Sequence, residues 1–234
     1  MNGSLEQPIG EALPDWSPPP SPPLRELSGR FCRVVPLSVA EHGDALFTAY
    51  SAERAGRMWT YLPYGPFADR ASFDSWLATC AASKIDPLFF AIVDRTDERP
   101  AGLCSYLRIA PAAGTIEVGH LSYAPRLQQT AVATEAMLLL MRQAFELGYR
   151  RYEWKCDSLN APSRRAAERL GFQFEGIFRQ ATVYKGRSRD TAWYSIIDKE
   201  WPQLKRTFEQ WLAPDNFDAQ GRQRRSLSAM VSSR

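Results

Sequence analysis

Hydrophobic and polar positions along this chain fall into short stretches of two different periods. In IEVGHLSY (116–123) the side chains alternate as in a half-buried strand, with Gly119 in mid-run marking a bulge or a close backbone approach. After APRLQQ comes TAVATEAMLLLMRQAFELGY, in which Ala133, Met137, Leu140, Met141 and Ala144 recur at helical spacing and Gly148 supplies the stop. This helix is expected to begin within 130–134. RYEWKCDS (151–158) is short, aromatic-rich and bounded by Gly148 and Asn160, which reads as a strand lying parallel to the first. NAPSRRAAERLGFQFEG then places a cap residue at Asn160, Pro162 in the first helical turn, an amphipathic helix to Leu170 and Gly171 at its end. Phe172 and Phe174 restart a strand.

Upstream, FCRVVPL reads as a first strand and the residues from Ser38 or Glu41 to Ala52 as a helix. MWTYLPYGPF (58–67) is an aromatic loop punctuated by Pro and Gly, followed by a second helix over about 69–84. PLFFAIVD and AGLCSYLRIA make two strands around the turn TDERP. Downstream, IFRQATVYKGRSRDTAWYSII is two strand-like runs flanking Lys185-Gly186-Arg187, a hairpin with a basic tip, and residues 201–212 form an amphipathic helix. Three spans follow: a Pro-rich flexible arm at 1–28 containing WSPPPSPP, one folded domain at 29–213, and a basic tail at 214–234 with Arg222, Arg224, Arg225 and Arg234.

Composition narrows the classes of function. With 29 Lys and Arg against 26 Asp and Glu, the net charge is only +3, and no RNA-binding signature accompanies the Arg-rich tail, so nucleic acid is not the expected partner. No apolar run approaches the roughly 20 residues needed to span a bilayer, and the N-terminus lacks a signal-peptide pattern. The four cysteines, Cys32, Cys80, Cys104 and Cys156, form no C-x-x-C pair, so no metal is expected. Buried free thiols in a cytoplasmic protein are the reading that fits.

The segment from Ile116 to Phe174 resembles the core of the GNAT N-acetyltransferase superfamily, nearest to its ribosomal-protein branch. The family's pyrophosphate loop, Gln/Arg-x-x-Gly-x-Gly/Ala, falls on Gln128-Gln129-Thr130-Ala131-Val132-Ala133, followed by Thr134-Glu135-Ala136, with Ala131 in place of the first Gly. Asn160-x-x-Ser163 and Leu170-Gly171-Phe172 match the coenzyme-arm contacts and the turn into the next strand. The resemblance covers about 29–212. It implies an α/β (α+β) fold with a mixed, mostly antiparallel central sheet containing a parallel splayed pair, flanked by helices. It also implies acetyl-CoA as cosubstrate, held by Leu121, Tyr123, Gln128, Gln129, Thr130, Ala131, Val132, Ala133, Thr134, Asn160 and Ser163.

Amine acetylation needs a neutral amine, a polarised thioester carbonyl and a proton for the departing thiolate. Glu117, on the strand that in the family faces the acetyl group, is the first candidate base, and His120 the second, as a proton shuttle. The bland alternatives are a strand Glu paired with an Arg and a satisfied edge His. A backbone N–H near 121–123 is the expected carbonyl donor. The family's usual acid, a Tyr, is replaced by Ala167, which leaves Ser163, Tyr123, Tyr184 or water; Ser163 is equally readable as a helix cap. Trp59, Tyr61 and Tyr64 are candidates for an amine pocket, and Asp190 and Trp193 for binding a cationic acceptor or for anchoring the hairpin. The leading reading is an N-acetyltransferase acting by direct ternary-complex attack on a primary amine, either a small molecule or a protein N-terminus. A monomer or homodimer is expected. The alternative is a non-catalytic acyl-CoA-binding regulatory module, motivated by Ala131 and Ala167, which would bind without turnover.

Overall fold

The structure, a computed structural model, describes residues 7–232. Among these residues eight strands form one sheet: β1 (Leu27–Ser28), β2 (Cys32–Pro36), β3 (Leu88–Asp94), β4 (Arg99–Ala110), β5 (Thr115–Tyr123), β6 (Arg151–Asp157), β7 (Gln173–Tyr184) and β8 (Arg187–Ile197). Their spatial order is β1-β2-β3-β4-β5-β6-β8-β7. Every neighbouring pair is antiparallel except β5 and β6, which are parallel. This is the mixed sheet expected from the order of elements.

Among the described residues there are six α-helices: α1 (Val39–Ser51), α2 (Arg70–Ala82), α3 (Ala131–Glu146), α4 (Ala161–Arg169), α5 (Trp201–Leu212) and α6 (Leu227–Ser232), the last packed on α4 and α5. Their starts follow from local side-chain chemistry. Ser38 accepts from the Glu41 N–H, Asp69 and Ser72 form a reciprocal capping box, Thr130 accepts from the Ala133 N–H, and Asn160 from that of Ser163. Gly148 and Gly171, with φ of 97° and 90°, turn the chain out of α3 and α4.

The sheet separates two apolar clusters. Leu88, Phe90 and Ile92 of β3 face the cluster that holds α3, α4 and α5, while Phe89, Ala91 and Val93 face α1, α2 and the aromatic loop. Burial on both faces explains why β3 is apolar from Leu88 to Val93. On the α1–α2 side the helices reach only as far as β4 and β5; the β6–β8–β7 part of that face carries charged and polar side chains.

Two termini depart from expectation. The Pro-rich segment is extended, but it lies on the body and is not a free arm from Trp16 onward. Pro19 and Pro22 are buried, Leu24 and Leu27 pack on the main cluster, and the Arg150 guanidinium lies 6.0 Å from the Trp16 ring. Extended proline-rich chain exposes few backbone donors and much ring surface, which suits it to such packing. The basic tail is likewise folded back rather than solvated: Asn216 is buried and donates to the Trp211 carbonyl at 2.8 Å, and Leu227 and Met230 of α6 are buried. Arg222, Arg224 and Arg225 remain exposed, and Arg234 lies outside the described residues.

Candidate active site

The parallel pair opens into a fork. β5 and β6 are in register from Thr115↔Arg151 to Val118↔Trp154, and no pair follows. Beyond Val118, β5 stays with β4, through Leu103↔Ser122 and Gly102↔Tyr123, while Lys155, Cys156 and Asp157 of β6 stay with β8. The β4–β5 register breaks between Leu103 and Ser105, and His120 there takes a left-handed backbone, φ 51°. Gly119 plays a different part, since a Cβ on it would sit 2.8 Å from Leu107 Cδ2; it permits close approach while His120 makes the bulge. Backbone groups of β5 around Leu121 that face β6 are left without a ladder partner, which suits a donor to a carbonyl inserted between the strands.

At the mouth of this fork stands the N-terminus of α3. Thr130 caps it, with its own hydroxyl donating to the Leu127 carbonyl at 2.7 Å. The first-turn N–H groups of Ala131 and Val132 have no acceptor within the helix, and together with the helix dipole they favour a phosphate. Ala131 is the first helical residue, so its Cβ meets no left-handed strain; the left-handed residue of the loop is Gln129, φ 61°. Gln128 donates to the Tyr123 carbonyl at 2.9 Å, fixing the loop to the end of β5. Val132, Ala133 and Thr134 turn buried side chains inward, and Arg169 of α4 donates to Thr134 Oγ1 at 3.1 Å.

On the other bank, Asn160 caps α4 through the Ser163 N–H at 3.1 Å. Ser163 Oγ accepts from Trp154 Nε1 at 3.0 Å and also hydrogen-bonds the Cys156 side chain. Ala167, the residue at the position of the missing Tyr, is fully buried. Tyr123 lies with the core cluster, and burial pushes its phenol far up, away from the role of a proton donor. Tyr184 donates to Asp157 Oδ2 at 2.8 Å, and burial and that carboxylate push its phenol up to about 12.

The candidate base Glu117 is 3% exposed, with Arg108 Nη1 at 2.7 Å from Oε1 and Lys155 Nζ at 2.9 Å from Oε2. Burial raises its pKa above the ordinary carboxylate range, against the pull of Lys155 and Arg108. His120 Nδ1 lies 3.0 Å from the Tyr64 hydroxyl, with the two rings stacked, and burial and the nearby Arg108 lower its pKa to about 4. It is therefore a neutral imidazole near pH 7.

The aromatic loop divides by role. Trp59 is 4% exposed among Tyr50, Tyr64, Phe67 and Trp76, so it is a wall, not a recognition surface. Tyr61 donates to the Leu159 carbonyl at 3.1 Å, and Lys185 at the hairpin tip donates to the Trp59 carbonyl at 2.7 Å. These two bonds join the loop beside β5 to the segments beyond β6. Asp190 accepts from the Gln180 N–H at 2.7 Å and so anchors the hairpin. Trp193 stacks on Phe178 at 4.3 Å and lies over Lys155 at 3.8 Å.

Sequence reasoning does not single out Lys155, Glu153, Asp157 or Arg108. The signal is present in RYEWKCD, where Arg151, Glu153, Lys155 and Asp157 recur at period two and share one face of β6. Two surface cavities, of about 340 and 240 Å³, lie away from the fork, one between the β1–β2 turn, α3 and α5, the other beside the opposite ends of β5 and β6.

Comparison with known proteins accords with this geometry. Residues 33–173 match the family described as acetyltransferase (GNAT) domain. A crystal structure of a GCN5-related N-acetyltransferase from Brucella melitensis is 48% identical, covers 94% of this chain and 100% of that one, and superposes with a TM-score of 0.91. A probable acetyltransferase (GNAT family) from Chromobacterium violaceum is 41% identical over 84% of this chain and 98% of its own, with a TM-score of 0.77. An uncharacterized N-acetyltransferase, p20, of Bacillus licheniformis is 32% identical over 114 residues, which span 48% of this chain and 63% of that protein.

Proposed function

The chain belongs to the GNAT acetyltransferase family, and from that premise we propose that it transfers an acetyl group from acetyl-CoA to a primary amine by direct attack. The observation that carries this reading is the fork itself: a strand pair that parts after Val118 and Trp154, with a capped helix N-terminus at its mouth. The residues fit such a cosubstrate. Gln129, Thr130, Ala131 and Val132 would receive its diphosphate at the start of α3, and Asn160 and Ser163 would flank its arm. When bound, it supplies an activated acyl group on a thiolate leaving group.

The protein's own part is to hold and move charge. The Leu121 region offers a backbone N–H toward the carbonyl, where negative charge grows as the amine adds. Glu117 takes the proton of the attacking amine; burial raises its pKa, which makes it a stronger base than an ordinary carboxylate. His120, neutral and held by Tyr64, stands beside the path as a proton relay. Ser163, whose oxygen is occupied by Trp154, returns a proton to the sulfur. Retention of Glu117 in a buried, charged setting favours the enzyme over a module that only binds acyl-CoA.

Calorimetric titration with acetyl-CoA, followed by thiol release across small amines and N-terminal peptides, tests the proposal. Binding with turnover on one class is the expected result and identifies the acceptor. Binding without turnover on any amine would sink the enzyme reading in favour of the regulatory module.

A further inference from the structure

Glu117 of β5 and Glu153 of β6 are register partners on adjacent parallel strands and share one face of the sheet. Two carboxylates so placed repel each other, and in a buried setting one of them would take up a proton. Lys155 stands between them, with Nζ 2.9 Å from Glu117 Oε2 and 2.7 Å from Glu153 Oε2. It is the first residue of β6 beyond the last registered pair, so the bridge sits at the point where the strands part. Its side chain is 8% exposed, and the Trp193 ring covers it at 3.8 Å.

We propose that Lys155 is a positioning residue for the acetyl transfer: from the base of the fork its ammonium fixes the aim of the Glu117 carboxylate and keeps it charged. The inference rests on the reading of Glu117 as the base. The charged groups facing Glu117 leave Lys155 with most of this role. From β4 comes Arg108, which is 61% exposed and therefore strongly screened by solvent, and which also lies near His120 and Asp86. From β6 come Lys155 and Glu153, the latter held also by Arg151, which pairs in turn with Glu175 of β7. From β8 the Trp193 ring contributes no charge. Removing Lys155 would leave Glu117 against Glu153 with only a solvated guanidinium in compensation.

The test uses the full-length Lys155→Met and Lys155→Arg variants, with folding checked by near-UV circular dichroism. Carboxyl-¹³C NMR on glutamate-labelled protein, with the Glu117 resonance identified by its loss in Glu117→Gln, gives the titration midpoint without any acceptor. Lys155→Met is expected to raise that midpoint by at least about one pH unit. The acid limb of kcat/KM, read by thiol release from acetyl-CoA on the best acceptor of the panel, should rise with it, and Lys155→Arg should restore both. A midpoint that stays in place overturns the proposal. A midpoint that moves while the acid limb stays overturns the assignment of Glu117 as base, and the positioning role with it; a uniform loss of rate with neither change shows a structural role only.

Discussion

Two glutamates of this protein are buried almost alike, and their surroundings differ in kind. Glu135, one turn into α3, is 5% exposed and its carboxylate accepts three backbone N–H groups, from Arg30, Phe31 and Cys32, at 2.6 to 2.8 Å. Glu117, at the fork, is 3% exposed and meets only side-chain cations. Backbone donors cannot titrate or swing away, so Glu135 is solvated permanently and serves to tie the β1–β2 turn to α3. Side-chain cations can be screened or displaced, so the charge on Glu117 is compensated less rigidly than that on Glu135. Burial of a carboxylate says little about its role until its donors are named.

Substitution separates the two regions. Glu117→Gln is expected to lower kcat by about 10²- to 10⁴-fold, the usual contribution of a general base, while calorimetry finds acetyl-CoA affinity unchanged. Turnover retained by this variant would erase the distinction between the two carboxylates. Glu135→Ala should have the complementary result: loss of about 3 kcal/mol in urea denaturation, because three N–H groups lose a charged acceptor, with the activity of the folded fraction preserved.

A pH experiment sharpens the picture of the fork. The folded-state pKa of His120 is lowered to about 4, below its unfolded value near 6.5, so between these limits the unfolded chain binds the proton more readily. The contribution is complete above the unfolded pKa and is lost as pH falls toward 4. It amounts to about 3 kcal/mol, measured as the change with pH in the stability difference between the wild type and His120→Asn, a residue that tolerates the left-handed backbone. A pH-independent difference would show that the imidazole is not desolvated as described. The smallest effect belongs to the helix side: Thr130→Ala should cost about 1 kcal/mol by thermal or urea unfolding, through loss of the cap at Ala133 N–H.

How much of the molecule is legible in its sequence depends on whether the information is local. The caps at Ser38, Asp69, Thr130 and Asn160, the two-faced apolar run of β3 and the Lys185-Gly186 turn are written in neighbouring residues, and the elements form where those signals stand. The division of labour at the bulge is only half visible, since Gly119 draws attention while its neighbour His120 carries the positive φ. The charged ladder is hidden for a different reason. Alternation in RYEWKCD puts Glu153 and Lys155 on one face, but only the register between β5 and β6 brings them to Glu117. The packing of Pro19, Pro22, Leu227 and Met230 depends on grooves made by distant elements, to which local composition is blind.

The two hydrogen bonds that tie the aromatic loop to the far side of the fork, Lys185 to Trp59 and Tyr61 to Leu159, turn an open cleft into a doorway. Each is a single bond at or near the surface, and together they contribute about 1 to 3 kcal/mol. The loop beside β5 and the segments beyond β6 are thereby held at a fixed spacing, so the width of the entrance is set jointly by side chains from both banks of the fork.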